Sequence, residues 1–358
     1  MPMGHAFRDG FRRLARSAGL VPLLLLVNLG AAALLAVPLA RTLESDLEHK
    51  DAAGEMMKGF DFPWWSQWSE DQRGFTASFA PDIIGVGFAF KNLDLLLRGY
   101  LPAGLFVARD SERGDEAGRE EGPGVDPVIL GLGAAYLVLQ TFLAGGVLAT
   151  LRAAEGRWTM RGLLHGSGFY FGRFLRLGAL VLLVDYALFA VNAPLARWAD
   201  HNAREAVSEY TAQIWLLGRH AVLLLALLWV NMVSGYAKAI VVLEERRSAA
   251  LALLSAFTFA LARPLRTFGH YLALAALGVA LLLIWGVVDG FWSAAGYVSQ
   301  IATFVMAQGL VAARIALRLA LWAGQLAMLR RFAAAPAPAL PATPPAPPPP
   351  APGAVATA

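Results

Sequence analysis

The chain has 358 residues, of which 57% are hydrophobic and 16% are charged, and its formal net charge is +4. Apolar runs of about 20 residues, the length that crosses a bilayer, recur along it, which excludes a soluble globular protein and indicates an all-α integral membrane protein. There is no cysteine, so disulfides and thiolate chemistry are excluded as well.

The N-terminal segment, residues 1–19, is basic and leads into an apolar run over 20–40. Its basic residues are Arg8, Arg12, Arg13 and Arg16. A basic start before an apolar run is typical of a signal sequence, but this run is longer than an ordinary signal core and no small-residue cleavage motif follows it. We therefore expect residues 20–40 to form a transmembrane anchor helix that is not cleaved.

Residues 41–126 form an acidic segment that we place outside the cytoplasm. It holds nine basic and 17 acidic residues. Three tryptophans cluster in it, Trp64, Trp65 and Trp68, and an indole suits a membrane interface because its body is apolar and its N–H is polar. The stretch 81–108 is apolar but interrupted by charges, so we expect one or two interfacial helices there rather than a further span.

Five further apolar runs predict spans within a membrane core over 127–332. They lie at about 127–151, 177–196, 211–237, 268–289 and 299–329, which makes six spans with the anchor. The tail, residues 333–358, is rich in proline and alanine, and we expect it to be disordered and cytoplasmic.

The distribution of lysine and arginine predicts that both termini are cytoplasmic. With the N-terminus inside, the inner segments are 1–19, 152–176, 238–267 and 330 onward; they hold 4, 5, 5 and 2 basic residues, 16 together, against four acidic ones. Short connections on the cytoplasmic side carry such an excess of basic residues. The segment 41–126 exceeds the roughly 60 residues over which that rule holds, so its charges do not count.

Two segments that lie 90 residues apart align without a gap and indicate an internal duplication. They are 145–176 and 235–266, with ten of 32 positions identical. We interpret them as two parallel hairpin repeats, in which each unit leaves the membrane at E-x-R, forms a short helix on the cytoplasmic surface and turns back at R-x-L-R. The polar matches are Glu155/Glu245, Arg157/Arg247, Arg173/Arg263 and Arg176/Arg266.

This interpretation makes specific predictions about the second unit and about lipid contacts. Ser248 can cap the second short helix, and Pro264 ends it. Four arginines, Arg173, Arg176, Arg263 and Arg266, are expected to contact anionic headgroups. Parallel repeats occur in transporters, but they also arise readily by simple duplication, so they do not decide the function.

Three ionisable residues fall deep within predicted spans and form a candidate intramembrane polar site. Asp185 lies about 12 Å into its span, and Arg314 and Arg318 lie about 24 and 18 Å before Arg330, at about 1.5 Å per residue. Charges at such depth are costly and indicate function by default. Either Asp185 pairs with the arginines to line a polar cavity, or the residues form a structural bridge between helices while Arg318 extends toward the cytoplasm. We favour the structural interpretation.

The sequence contains no recognisable catalytic, cofactor or metal motif. The sequence HGSG at 165–168 resembles a serine-protease motif, but no histidine is placed beside the serine by any readable spacing. We therefore predict no catalytic residue, no cofactor and no bound metal. The glycines there have a spacing that favours close helix packing, as Gly162-x3-Gly166 and Gly168-x3-Gly172.

Several segments resemble an uncharacterised group of bacterial multi-pass membrane proteins. They include "FAPDIIGVGFAFKNLDLLL", "YAKAIVVLEERRSAALALL" and "AQGLVAARIALRLALWAGQLAMLRRF", and together such segments cover most of residues 79–332. The charged-turn hairpins are loosely similar to the membrane domain that accompanies some glycerophosphodiester phosphodiesterases, whose catalytic domain has no counterpart here. The resemblance implies a bacterial inner-membrane location and a six-helix core, without a biochemical role.

From these observations we expect a non-enzymatic protein that organises the membrane or assembles with a partner. Its partners would be membrane lipids and, through residues 41–126 or the tail, another protein; nothing in the sequence indicates nucleic acid. A transporter or permease with a polar site between the repeats is the alternative. An intramembrane enzyme is disfavoured by the missing motifs.

Overall fold

A computed structural model describes residues 4–48, 50–56, 60–72, 74–79, 87, 93, 127–153, 158–291 and 296–333. In these residues all regular secondary structure is helical. Three features of the sequence prediction lie outside this described part: nearly all of the stretch 81–108, the turn residues Glu155 and Arg157, and the proline-rich tail.

Six of the described helices are long and apolar enough to cross a membrane. In chain order the helices are α1 Gly4–Arg16, α2 Leu20–Leu47, α3 Ala52–Met56, α4 Phe62–Asp71, α5 Pro127–Arg152, α6 Met160–Glu205, α7 Glu209–Leu243, α8 Ala249–Ala262, α9 Pro264–Phe291 and α10 Tyr297–Ala333. The six long ones are α2, α5, α6, α7, α9 and α10, and each contains one predicted span. The predicted class, an all-helical membrane protein with six spans, is confirmed.

The last helix, α10, packs against five other helices, α1, α2, α5, α7 and α9. Its residues Leu319, Ala323 and Leu326 are almost fully buried. Small residues let α1 lie directly on it, since a Cβ added at Gly10 would stand 2.8 Å from the carbonyl oxygen of Ala320. Such close approach of two backbones brings many atoms into van der Waals contact, which stabilises the pair of helices.

Glycine also sets the contact between α5 and α6. A Cβ added at Gly146 would stand 2.2 Å from the carbonyl oxygen of Leu163, and one at Gly166 would stand 3.2 Å from the Cα of Gly146. The close packing expected from the glycine spacing therefore holds at Gly166. It is wrong for the pair Gly168-x3-Gly172, where an added Cβ would meet no atom within 4 Å.

The first unit of the proposed repeat departs from its prediction. A short helix followed by a turn at Arg173–Arg176 was expected, but α6 runs unbroken for 46 residues through that point. The reason is the residue that follows Arg173. Position 174 is a phenylalanine whose side chain is 1% exposed, whereas the aligned position of the second unit is Pro264.

The second unit has the predicted short helix. Its first turn, in α8, is capped by Ser248, whose hydroxyl accepts a hydrogen bond from the backbone N–H of Leu251 at 3.3 Å. Arg263 leaves helical geometry with φ −144°, and Pro264 then begins α9, because proline restricts the residue before it and suits the first turn of a helix. The two segments thus differ in backbone, and their common origin stays a prediction.

The bundle has two distinct ends. We call the end where α5 leads to α6 and α7 leads to α8 the turn end, and the end where α6 joins α7 the far end. At the far end α6 and α7 are fastened by the ion pair of Arg219 with Asp200 at 3.0 Å. The rings of Trp198 and Trp215 meet edge to face beside it, with centroids 4.8 Å apart.

Candidate functional site

An open cleft of about 740 Å³ lies between α2, α5 and α10. Its walls are mostly alanine, leucine and isoleucine, and its polar residues are Asn28, Tyr136, Arg314 and Arg318. Arg314 and Arg318 stand one helical turn apart on α10, so they share a face. The described residues that line the cleft include two arginines and no carboxylate.

Arg318 makes few polar contacts for a guanidinium. Its charged group lies 4.8 Å from the ring centroid of Trp322, a cation–π contact. Within the described residues it has no hydrogen bond and no ion pair, and its side chain is exposed. Its N–H donors therefore remain available to a group in the cleft.

A smaller recess of about 50 Å³ continues the cleft toward Trp322 and contains a polar cluster. The Oδ1 of Asn28 accepts hydrogen bonds from the hydroxyl of Tyr136 at 2.6 Å and from Nε2 of Gln140 at 3.0 Å. These bonds occupy the acceptor of the Asn28 amide and leave its N–H₂ group to donate. The recess thus places neutral donors beside the charge of Arg318.

The structure brings together only part of the predicted intramembrane site. Arg314 and Arg318 share the cleft, but Asp185 lies on α6 and is not among the lining residues. Within the described chain no ion pair joins it to either arginine. The physical reason is helix adjacency, since α6 packs on α5, α7 and α8 rather than on α10.

Arg152 and Glu245 form a second polar centre at the turn end. Arg152 Nη1 donates to the Glu245 carboxylate at 2.8 Å, to the carbonyl oxygen of Val242 at 2.7 Å and to the hydroxyl of Tyr170 at 3.3 Å. The carbonyl of Val242 is one of those that the end of α7 leaves without a helical partner. A single side chain thereby joins α5, α6 and the end of α7.

Glu245 has the backbone of a helix-terminating glycine. Its φ is 52°, the left-handed region, which costs roughly 1–2 kcal/mol for a residue with a Cβ. Its carbonyl oxygen also accepts a hydrogen bond from Arg173 at 3.1 Å. A glycine would adopt this backbone without strain but could not pair with Arg152, so the ion pair explains why glutamate stands here.

The remaining charges of this turn make local contacts. Glu244 pairs with Arg246, two residues away, and Arg246 also donates to the hydroxyl of Ser255 at 2.7 Å. Arg247 is exposed. Glu245 therefore joins distant parts of the chain, whereas Glu244 does not, so we expect Glu245 to contribute more to folding.

Arg173 and Arg263, which align in the proposed repeat, both pack on aromatic rings. Arg173 lies 4.7 Å from the ring centroid of Phe169, and Arg263 lies 4.1 Å from that of Phe332. Both arginines are half-buried. Their positive charge is thus partly engaged within the protein.

Arg176 and Arg266, the other aligned pair, have exposed side chains. The Nε of Arg176 donates to the carbonyl of Gly172 one turn earlier, at 3.0 Å. Of the four arginines for which headgroup contacts are predicted and which the structure describes, these two are the better placed to reach lipid.

Further bonds fasten α1 to the turn end. Arg331 pairs with Asp9, and Arg330 donates to the carbonyl oxygen of Arg152. Arg13 Nη1 donates to the carbonyl oxygen of Leu151 at 3.3 Å. Together with the contacts of Arg152, these bonds link α1, α5, α6, α7 and α10 at one end of the bundle.

The three clustered tryptophans lie in α4, which Asp61 caps by accepting a hydrogen bond from the backbone N–H of Trp64 at 3.1 Å. Trp68 is buried, and its indole N–H donates to Asp46 at 2.7 Å. The indole N–H of Trp65 donates to the carbonyl oxygen of Phe79 at 3.2 Å. Both N–H groups are therefore bonded to protein acceptors, and the interfacial role predicted for these residues stays a prediction.

One residue of α7, Lys238, lies within a helix although the sequence placed it in a cytoplasmic connection. Lys238 was placed in the inner segment 238–267, but it lies inside α7, half-buried and within electrostatic range of Arg318. Within the described chain its ammonium has no hydrogen bond or ion pair. The apolar run continues past it to Leu243, and that continuation was the available signal.

The described residues contain no group of three or more histidine, aspartate or glutamate side chains that could hold a metal ion. No family model, no curated protein and no solved structure matches the chain. The class that the fold defines is a helical, multi-pass membrane protein.

Proposed function

We propose that this chain is a non-enzymatic protein of the bacterial inner membrane, with both termini cytoplasmic, that serves as a rigid platform for membrane organisation or for assembly with a partner. The observation that carries the proposal is the bonded network at the turn end. It holds five helices in fixed relative positions through the side chains of Arg152, Glu245, Arg13, Arg330 and Arg331.

The same end presents basic side chains outward. Arg176, Arg247 and Arg266 are exposed there, and each basic residue near an anionic membrane surface contributes about 1 kcal/mol of attraction. The excess of basic residues in the inner segments supports a cytoplasmic turn end. Six spans return the chain to the side from which it started, so both termini then lie in the cytoplasm.

Orientation can be tested with single cysteines, because the chain has none of its own. Cysteine is placed at Ser208, between α6 and α7, and separately at Arg247, after α7. We expect a membrane-impermeant maleimide to label position 208 in intact cells and position 247 only after permeabilisation. The reverse pattern would contradict the proposed orientation.

Assembly can be tested by native mass spectrometry of the gently solubilised full-length protein. We expect a stoichiometric partner that is lost when the proline-rich tail or the segment 60–79 is removed. Glu245→Ala should weaken this association by loosening the turn end, and Glu244→Ala serves as the matched control. Two results would contradict the proposed assembly role: no partner copurifies with the protein, or the partner remains bound after all of these changes.

A transporter is the second candidate, and the cleft with Arg314 and Arg318 favours it. Transport sites lie within the membrane, where polar groups from several helices surround an open space. The test is anion flux into liposomes. Flux that disappears with Arg314→Ala and persists with Arg266→Ala would favour transport over the platform.

A further inference from the structure

A groove between α6, α7 and α8 is lined only by apolar side chains. It encloses about 370 Å³, within the range of roughly 300–1,000 Å³ that is typical of small-molecule pockets. Among its residues Val233 of α7 is 4% exposed, whereas Leu254 and Phe257 of α8 are 58% and 42% exposed. The groove therefore has a buried floor and opens onto the outer surface of the bundle.

Two arginines of α6 precede this groove on the side of the turn end. Arg176 and Arg173 stand four and seven residues before Leu180, which lines the groove. These spacings put side chains on one face of a helix, and they place the two arginines about 6 and 10 Å nearer the turn end. Within the described chain the only hydrogen bond of Arg176 is the one from its Nε to its own helix, so both Nη groups can donate.

The connection between α7 and α8 brings a third arginine to the same side. Arg247 is exposed and stands three residues before Ala250, which also lines the groove. Arg173 ties this connection to α6, because its Nη1 donates to the carbonyl oxygen of Glu245 at 3.1 Å. Three arginines therefore border one end of an apolar groove.

The acidic side chains nearby do not neutralise these arginines. In the connection, Glu244 pairs with Arg246, and Glu245 pairs with Arg152. The first acid of α6, Asp185, is nine residues beyond the nearer arginine, about 14 Å along the helix, and does not line the groove. Among the described residues the three bordering arginines have no ion pair. The turn-end border of the groove thus attracts an anionic headgroup.

We infer that an anionic phospholipid binds here, with its phosphate against Arg176 and Arg247 and one acyl chain in the groove. The order of surfaces is that of the lipid, because the charges lie at the end of the bundle and the apolar walls lie deeper, from Leu180 to Val184 on α6. A guanidinium matches the oxygens of a phosphate, and the walls offer contacts that only hydrocarbon uses. A free anion would gain nothing from the groove, and a neutral apolar molecule would leave the arginines without a partner.

This inference deepens the proposed function and rests on it in one respect, the placement of the turn end at a membrane surface. It names the lipid that the platform holds. Assembly is read from a copurified protein, and lipid binding is read from added lipid, so the two tests can fail separately.

The experiment uses the full-length protein, purified in mild detergent and freed of lipid, with native mass spectrometry as the readout. The probes are phosphatidylglycerol, phosphatidylcholine with the same acyl chains, and glycerol phosphate, which has no chain. The charge variant combines Arg176→Gln with Arg247→Gln. Its matched control is Arg266→Gln, which removes an exposed arginine of α9, a helix that contributes no residue to the groove.

The groove can also be filled without changing any charge. Ala250 is exposed and lines the groove, so the ring in Ala250→Phe would occupy space that the acyl chain needs. Ala262→Phe is the matched control, because Ala262 is also exposed on α8 but does not line the groove.

We expect the wild type to bind phosphatidylglycerol at least about tenfold more tightly than phosphatidylcholine, because each basic residue near an anionic lipid contributes about fivefold. The charge variant should weaken phosphatidylglycerol binding at least about tenfold and leave phosphatidylcholine binding within about twofold. Ala250→Phe should weaken the binding of both lipids about fivefold, because the chain loses contacts with the walls. Both controls should stay within about twofold of the wild type.

Three results would overturn the inference. Equal binding of the two lipids to the wild type, or phosphatidylglycerol binding that survives the charge variant, would show that the arginines do not select the lipid. Lipid binding that is unaffected by Ala250→Phe would place the acyl chain outside the groove. Glycerol phosphate that binds as tightly as phosphatidylglycerol would show that the site recognises a free anion. Should the double charge variant fail to fold, Arg247→Gln alone decides that arm, because Arg247 is exposed in a connection.

Discussion

The two halves of α5 differ in how closely the neighbouring helices pack against them. At the turn end, Gly146 is in backbone contact with α6, and the donors of Arg152 are taken up by protein acceptors. In the other half, Gly131 and Gly133 border open space, and the nearby Arg318 of α10 has no polar protein partner among the described residues. The same residue types therefore hold the bundle together at one end and leave room at the other.

This difference separates structural arginines from arginines that are available to a ligand. A guanidinium bonded to carbonyl oxygens and a carboxylate resembles a helix cap, and removing it leaves acceptors without donors. A guanidinium without such partners contributes little to the folded protein alone. The contrast can be tested with matched substitutions in the two regions.

The largest effect is expected for Gly146→Ala. The added methyl group would stand 2.2 Å from the carbonyl oxygen of Leu163, so α5 and α6 must separate. Overpacking that forces the backbone to move costs about 3 kcal/mol, the upper end of the usual range. Unfolding of the purified protein in mixed micelles measures the loss, and a stability equal to that of the wild type would show that the two helices are not in close contact.

Arg152→Met should cost about 2 kcal/mol, because it breaks charged hydrogen bonds to three acceptors on neighbouring elements. Arg318→Met is the matched control in the cleft. We expect it to leave the free energy of unfolding of the lipid-free protein unchanged within about 0.5 kcal/mol. Equal losses from the two substitutions would remove the distinction between the two regions.

Glu245→Ala should cost about 1.5 kcal/mol, since it removes the partner of Arg152 and keeps a side chain at a left-handed position. Glu245→Gly should cost less, because glycine relieves the strain of the backbone. Glu244→Ala should cost under about 0.5 kcal/mol, as its only described partner is a near neighbour. An order in which Glu244→Ala is the most harmful of the three would contradict the assigned roles.

Gly133→Ala should produce the smallest change, a gain of about 0.5 kcal/mol. An alanine there meets no atom within 4 Å and reduces the freedom of the unfolded chain. The same exchange is thus expected to have opposite signs at positions 133 and 146 of one helix. Destabilisation at position 133 would mean that the cleft is closed in the folded protein.

The sequence predicts the six spans, because long apolar runs depend only on local composition. It does not give the helix ends. The third span was expected to begin at about 177, whereas the helix that contains it, α6, begins at Met160. Helical hydrogen bonds continue beyond the hydrophobic core, so a hydropathy boundary is not a helix boundary. At the break after α8 the prediction succeeded, because Ser248 and Pro264 act on the backbone locally.

Of the candidate intramembrane site, only the pairing of Arg314 with Arg318 on one helix face was predicted correctly, and Asp185 was not. Spacing along α10 places Arg314 and Arg318 on one face, but it does not reveal that α2 and α5 cover that face while α6 lies elsewhere. The contact of Arg152 with Glu245 joins residues far apart in the chain, and only the folded bundle brings them together. Helix adjacency is a property of the whole bundle, which local sequence patterns do not specify.

The length of α6 has a consequence of its own. Its 46 residues extend about 69 Å, more than twice the roughly 30 Å of a bilayer's hydrocarbon layer. The ion pair and the crossed indoles at the far end keep its last turns paired with α7. The hairpin of α6 and α7 is therefore closed at its tip, and each of its helices is longer than the hydrocarbon layer is thick. Removing whole turns in pairs from α6 and α7 would shorten this hairpin and leave the contacts at its tip in place.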